Sequence, residues 1–347
     1  MPDISNTYRN RLLKKQLEYS REFKTLFDDI GNQFAQIAYD PNIRFVKAFV
    51  FPPYIKARMK AIIADFHDQA LQLTEDEITN AWELSNQKND KIITDYLSTI
   101  SAIKASQAAA YFLPNTSALK AFLSSEHGTD TLSDSIWQVG KQLRAELEAH
   151  LSIGITNGDS AAVISQRIRQ YLNNPDALFR RVRDNNGRLI ASKKMLENHP
   201  GQGVYNSAYK NALRIARTNT NQAYLLADHI RWAQLDMVKG VRIELSAQHP
   251  DYNYPEICEE CEGDYPKDFI FVGWHPSCLC HAVAILSSEE DFMAYLGGAD
   301  KELNGAVSIY PDGFQNFVND NFERFSNYKS VPFWLDDNMN IIKELIK

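Results

Sequence analysis

The stretch Lys239-Gly240-Val241-Arg242-Ile243-Glu244-Leu245-Ser246 marks a change of hydrophobic period along this chain. Val241, Ile243 and Leu245 alternate with Arg242, Glu244 and Ser246, the period of two expected of a half-buried strand. Upstream, apolar residues recur every three to four positions, as they do on helices. Gly240 reads as the helix stop between the two regimes. Downstream, Phe269-Ile270-Phe271-Val272 and His281-Ala282-Val283-Ala284-Ile285-Leu286 read as two further strands. The predicted fold class is α+β, mainly α: a helical body followed by a small antiparallel β-subdomain with a cysteine knuckle. The chain divides on this reading into a helical N-terminal region 1–128, a helical core 129–240, the β-subdomain 241–286 and an acidic, aromatic tail 287–347.

Working outward, a long helix is predicted from about Val204 to Lys239. Its inner stripe is Ala208, Ala212, Ile215, Asn219, Ala223, Leu226, Ile230 and Ala233, and its opposite face carries Arg214, Arg217, Asn221 and Asp228. Leu132, Ile136, Val139, Leu143, Leu147 and Leu151 mark another helix, ended by Gly154 and Asn157-Gly158. Asp159 is placed to cap the next, with Val163, Ile164, Ile168 and Leu172 facing inward. Nearer the N-terminus, Phe23, Phe27, Ile30, Phe34 and Ile37 form one stripe that ends at Asp40-Pro41-Asn42. Arg44 to Phe51 reads as an edge strand or extended linker, stopped by Pro52-Pro53. A helix follows through Ile55, Met59, Ile62, Ile63 and Phe66, and Thr74-Glu75-Asp76-Glu77 reads as the capping box of a separate one. In the tail, Phe314, Phe317, Phe322 and Phe325 suggest one more packed helix.

The chain has 347 residues and a formal net charge of −7, with 44% hydrophobic and 23% charged residues. That composition is a folded globular one and excludes collagen-like, coiled-coil and wholly disordered chains. No apolar run approaches the roughly 18 residues of a membrane span, and the start lacks the layout of a secretory signal, so neither membrane insertion nor export is expected. The acidity is uneven: from Arg167 to Arg217 eleven basic residues face three acids, a net +8. Within it, Arg180, Arg181, Arg183, Arg188, Lys193 and Lys194 are the candidate contacts for a polyanion. A solvated basic face accounts for the same charges.

All four cysteines, Cys258, Cys261, Cys278 and Cys280, fall within 23 residues. A C-x-x-C turn lets two thiolates converge, and residues i and i+2 at a strand start project from one face, so all four could surround one tetrahedral ion. Structural zinc on Cys258, Cys261, Cys278 and Cys280 is the leading reading. Free buried thiols, disulfides and a redox pair remain open. Glu256, Glu259, Glu260 and Glu262 crowd the first pair, which works against a low-pKa redox thiol and against a knuckle that grips DNA. His275 and His281 flank the second pair, and either could replace a cysteine.

No G-x-x-x-x-G-K-[ST], G-x-S-x-G or H-E-x-x-H run occurs, and Gly201-Gln202-Gly203 is followed by Asn206 where a dinucleotide fingerprint needs glycine. His249, His275 and His281 lie near acids, but a loop or metal-shell role explains them without catalysis. No catalytic residue and no small-molecule substrate is assigned.

Two stretches carry a resemblance. Arg214-Ile215-Ala216-Arg217-Thr218-Asn219-Thr220-Asn221-Gln222-Ala223-Tyr224 resembles the "ART-x-x-N-x-A" helix of phage Mu F-like head morphogenesis proteins. His275-Pro276-Ser277-Cys278-Leu279-Cys280 is similar to the "HPxCRC" ending of that family. The likeness spans about residues 131 to 286, with Asn219 where the family commonly has Glu and Leu279 where it has Arg. Asn219 on the inner stripe suits a buried hydrogen-bonding role. The resemblance implies a non-enzymatic minor capsid protein of a tailed phage or prophage. Its partners would be portal and capsid proteins and packaged DNA, and its locations the virion and, during assembly, the host cytoplasm. Two other readings compete: a metal-dependent enzyme or toxin acting on nucleic acid through His249 and His275, and a DNA-binding module outside a virion.

Overall fold

A computed structural model of the chain describes residues 2–43, 50–100, 108–127, 130–173, 181–183, 189–191, 207–246, 249, 256–298, 303–327 and 331–346. It is mainly helical with a small antiparallel sheet, the predicted class. The chain folds into two units, one of Met1–Lys15, Asp76–Thr129 and Arg217–Lys347, the other of Gln16–Glu75 and Asp130–Ala216. The stretches 1–128 and 129–240 each supply residues to both. Most of the predicted linker at 44–51 and the boundary at 128 lie outside the described residues.

In the second unit, the stripe Phe23, Phe27, Ile30, Phe34 and Ile37 lies on the first helix, Pro2–Ile37, and is fully buried. Asp40 accepts from the Asn42 amide at 2.9 Å and turns the chain after it. The next helix runs unbroken from Pro53 to Ser98, so the separate start expected at Thr74 is absent. Thr74 is buried, and its hydroxyl donates to the Ala70 carbonyl at 2.8 Å within the helix instead of capping a new one. Helix Leu132–Thr156 buries the predicted leucine stripe and begins with a capping box between Thr131 and Asp134. Helix Ala161–Asn173 is capped by Ser160, which accepts from the Val163 amide, and not by Asp159, which pairs with Arg167. Val163 is exposed, while Ile164, Ile168 and Leu172 point inward. A Cβ on Gly154 would lie 2.3 Å from Ile164, so glycine permits the close approach of these two helices. Phe27 packs edge-on against Phe66 at 5.0 Å and Tyr209 at 5.2 Å.

Glu146 is the buried acid of this unit. Gln142 Nε2 donates to it at 2.9 Å, the Ala208 amide at 3.2 Å, and the Tyr171 hydroxyl also donates. Burial nevertheless outweighs these donors and pushes its carboxyl up to about 8.

In the first unit, the sheet runs in the order Gly263–Tyr265, Val238–Glu244, His281–Leu286, all antiparallel. Val241 pairs with Tyr265 on one side and Ala284 on the other. The period change marked the central strand correctly, but Gly240 stands inside the strand and is not the helix stop. A Cβ there would meet Val307 at 2.6 Å and the Tyr265 carbonyl at 2.8 Å. The long helix spans Ala208–Ala233. Phe269–Val272 is not a strand: its backbone is irregular, and Asn338 takes the place of a neighbouring strand. The Ile270 amide donates to Asn338 Oδ1 at 2.8 Å, and Asn338 Nδ2 donates to the Ile270 carbonyl at 2.8 Å. The aromatic tail helix, Asp312–Ser326, completes this core, with Trp274 5.6 Å from Trp334 and 6.0 Å from Phe314. No helix among the described residues is long and apolar enough to cross a membrane.

The predicted faces of the long helix need correction. Leu226 and Ile230 are only half-buried and Ala233 is exposed, while Asn221 and Asp228, placed on the outer face, are buried. Asp228 pairs with Lys88 and accepts from Ser85 Oγ at 2.6 Å and Asn89 Nδ2 at 2.7 Å. The Lys88 ammonium also lies 4.6 Å from the Tyr224 ring centre and 5.2 Å from that of Trp232. Arg231 is buried and donates to Asp90 at 2.7 Å, the Tyr111 carbonyl at 2.9 Å and Asn86 at 2.8 Å.

Two measurements follow from these buried charges. Asp228→Ala strands the Lys88 ammonium and should cost about 3–5 kcal/mol in urea unfolding, part of which Asp228→Ala with Lys88→Met recovers. Because the folded Glu146 binds its proton more tightly than the unfolded chain, its contribution is complete below pH 4.5 and is lost as pH rises through about 8. Glu146→Gln should flatten the decline in stability across that window.

Candidate metal centre

The cysteines are positioned by two local structures of the first unit. One turn of helix, Ile257–Glu260, carries Cys258, and Cys261 follows as its C-cap. The Glu259 and Glu260 amides donate to the Glu256 carbonyl, and the Cys261 amide to that of Ile257. The second is the turn His275-Pro276-Ser277-Cys278, closed by the Cys278 amide on the His275 carbonyl at 3.0 Å. Proline at its second position and a φ of 60° at Ser277 give it type II character, where glycine or asparagine usually stands third. The Ser277 amide donates to Thr218 Oγ1 at 3.0 Å, holding this left-handed residue in place. Gly273, at φ 104°, leaves room for Cys278, whose Cβ would lie 3.2 Å from any Cβ added there. Cys280 then leads into the strand His281–Leu286.

The outcome is a buried sulfur cluster. Ligand atoms of Cys258, Cys278 and Cys280 all lie within 4.8 Å of one another, with Cys258 Sγ and Cys278 Sγ 3.8 Å apart. Sulfurs each about 2.3 Å from a tetrahedral zinc stand about 3.8 Å apart, so the spacing fits a metal. Cys258, Cys278 and Cys280 could therefore hold a metal ion. Cys261, the fourth expected ligand, is fully buried and outside that group. All four cysteines are free thiols, so the disulfide reading is not the one this structure adopts.

The four thiols do not titrate alike. Hydrogen bonding to Cys278 and Cys280, then burial, raise the Cys258 thiol, and burial followed by the charge of Glu260 raises Cys261. Cys278 is the thiol favoured to ionise, held down by the neighbouring Cys258 and Cys280 thiols and by His275. A bound cation would reverse this, since a coordinating thiol gives up its proton outright.

Several further groups surround the sulfurs. His275 Nε2 lies 3.2 Å from Cys258 Sγ. His249, Glu256 and Cys258 form a second group of ligand atoms within 4.8 Å. His281 instead faces Glu244 at 3.2 Å, and burial and the nearby Arg9 bring its ring down to about 4. Arg9, on the first helix, donates to Asn221 Oδ1 at 2.7 Å and to the Leu279 carbonyl at 2.7 Å, while Asn221 Nδ2 donates to the Cys278 carbonyl at 3.3 Å. Sequence reasoning gave Asn221 an outward face, singled out Thr218 only as part of the helix match, and missed Arg9 altogether. Arg9 stands 270 positions from Leu279, and nothing local to it signals the contact.

Of the candidate polyanion contacts, Arg181 and Arg183 lie in the strand Arg181–Arg183, which pairs antiparallel with Leu189–Ala191. Arg180, Arg188, Lys193 and Lys194 lie outside the described residues.

No protein-family model, no curated protein and no solved structure matches this chain. The reading of its function accordingly rests on its own residues.

The strained turn is directly testable. A β-branched residue at φ 60° is far less tolerable than serine, so Ser277→Val should cost about 1–3 kcal/mol in chemical denaturation. Ser277→Gly should keep the wild-type midpoint or raise it.

Proposed function

We propose that this chain is a non-enzymatic head morphogenesis protein of a tailed phage or prophage, acting as a minor capsid component near the portal. One observation carries the reading. The two stretches that resemble the Mu F-like family lie some 50 residues apart in sequence, yet they bond to each other side chain to backbone. Thr218 holds Ser277, and Asn221 holds Cys278. Short motifs matched by chance have no reason to be mutually dependent, whereas motifs of one structural unit do.

In this reading the sulfur cluster is a structural zinc centre that ties the cysteine loop in place. The basic stretch 167–217, with Arg180, Arg181, Arg183, Arg188, Lys193 and Lys194, would meet packaged DNA or an acidic portal surface, and the acidic remainder would keep the protein from coating nucleic acid. Its places are the virion and, before assembly, the host cytoplasm.

The test is made on particles. Purified heads of the phage that encodes the chain should contain it in few copies, and deleting its gene should lower the yield of DNA-filled heads. Heads that lack the protein, produced at undiminished yield by the deletion, would overturn the proposal.

A further inference from the structure

We infer that a second divalent cation binds beside the sulfur centre, held by His249, Glu256 and Cys258, with the Cys258 thiolate shared between the two ions. The inference rests on the reading that the cysteines bind a metal, and it adds a position to that centre. Spacing alone does not point there, because His249 stands well before the C-x-x-C pair and Glu256 is one of several acids around it.

Three observations carry it. First, ligand atoms of His249, Glu256 and Cys258 all lie within 4.8 Å of one another, and Cys258 also belongs to the group it forms with Cys278 and Cys280. One sulfur is thus common to two sets of ligands. A thiolate keeps lone pairs beyond the one it gives to a first ion, so it can serve both. Second, the imidazole presents one nitrogen to each of two carboxylates. His249 Nε2 stands 3.7 Å from Glu256 Oε2, and Nδ1 stands 4.0 Å from Glu259 Oε1. The first separation is too long for a hydrogen bond and close to the roughly 3.3 Å between a nitrogen and an oxygen on one tetrahedral zinc. The second puts a carboxylate behind the ring, where metal-bound histidines keep the acceptor that orients them.

Third, the backbone fixes both ends of the set. Just past the central strand the His249 amide donates to the Ser246 carbonyl at 2.8 Å. Glu256 is the N-cap of the helical turn that carries Cys258, and its carbonyl accepts from the Glu259 amide at 2.9 Å and the Glu260 amide at 3.0 Å.

The two positions differ in access. Cys258, Cys278 and Cys280 are buried, whereas the side chains of Glu256 and Glu259 are 24% and 35% exposed. Nitrogen, oxygen and sulfur donors together suit a borderline divalent ion such as zinc or cobalt(II). Three protein ligands leave the fourth position to a water. A protonated imidazole between two glutamates would hold the same atoms without an ion, and the metal count tells the two apart.

Cobalt(II) counts the positions. The full-length chain is stripped of metal under reducing conditions and titrated with cobalt(II) alone. The wild type should take up two ions per chain, and the electron paramagnetic resonance signal per cobalt should fall as the second is added, because the shared sulfur couples the two spins. His249→Ala and Glu256→Gln should each take up one ion and keep its sulfur-to-cobalt charge-transfer band, which a chain misfolded around the sulfurs could not show. A wild type that takes up a single ion with that band would overturn the second position while leaving the sulfur centre standing. Two ions in the wild type and in both variants would place the second elsewhere and overturn the assignment to His249 and Glu256. A wild type that binds no cobalt would overturn the metal reading of the cysteines together with this inference.

Discussion

Polar side chains on a helix buried on nearly every side cost free energy unless they find partners. From Asn219 to Arg231 the long helix does carry them: Asn219, Thr220, Asn221, Gln222, Asp228 and Arg231 are all buried. Leaving such a group unpaired costs roughly 1–3 kcal/mol, and more for a charge, and the surrounding chain answers Asn221, Asp228 and Arg231. Ser85, Lys88 and Asn89 converge on Asp228, and Asn86 and Asp90 on Arg231. Asn221 is answered by Arg9 and by the backbone of the cysteine loop. The polar seam therefore fixes the register of the second helix, the first helix and the loop against one central rod. Apolar contacts alone would tolerate sliding that these directional bonds do not.

The same constraint explains where sequence reading succeeded. The central strand was legible because it has one buried and one wetter face, which alternation records locally, whereas His281–Leu286 was legible as a short apolar run. The phenylalanine stripe of the first helix and the leucine stripe of Leu132–Thr156 were legible for the same reason at helical period. Phe269–Val272 was not, because what satisfies its backbone is the amide of Asn338, 68 residues away. Nor was the edge strand Gly263–Tyr265, whose three residues are too short to show any period. Thr74-Glu75-Asp76-Glu77 has the composition of a helix start, yet burial of Thr74 within a continuous helix overrides that local signal.

The candidate site was legible to a similar depth. Clustering of Cys258, Cys261, Cys278 and Cys280 announced a sulfur centre, and three of them do meet. Spacing could not show that Cys261 stands apart from the other three, because a side chain's direction depends on the turn that carries it. The Pro276-Ser277 turn, with a left-handed residue that is not glycine, is visible only in the backbone. Arg9 lay beyond reach altogether: a basic residue on a helix near the N-terminus looks solvated until the loop around Leu279 is known to cover it.

What the sulfur centre has to do can be argued from what surrounds it. Taken alone, a three-stranded sheet whose edge strand has only three residues buries too little to hold itself together, which would make a metal the main source of its stability. The sheet is not alone, however. Trp274, Phe314 and Trp334 pack ring against ring beneath it, and the helix Asp312–Ser326 approaches the Cys258 turn so closely that Gly313 has no room for a Cβ beside the Glu260 carbonyl. Those contacts already bury the sheet and one end of the cysteine segment. The stretch they leave to be ordered is the loop that carries His275 and Cys278, where Ser277 is held at a φ of 60°. A metal at the sulfurs would act as a clasp on that loop, holding it where Thr218, Asn221 and Arg9 can bond to it.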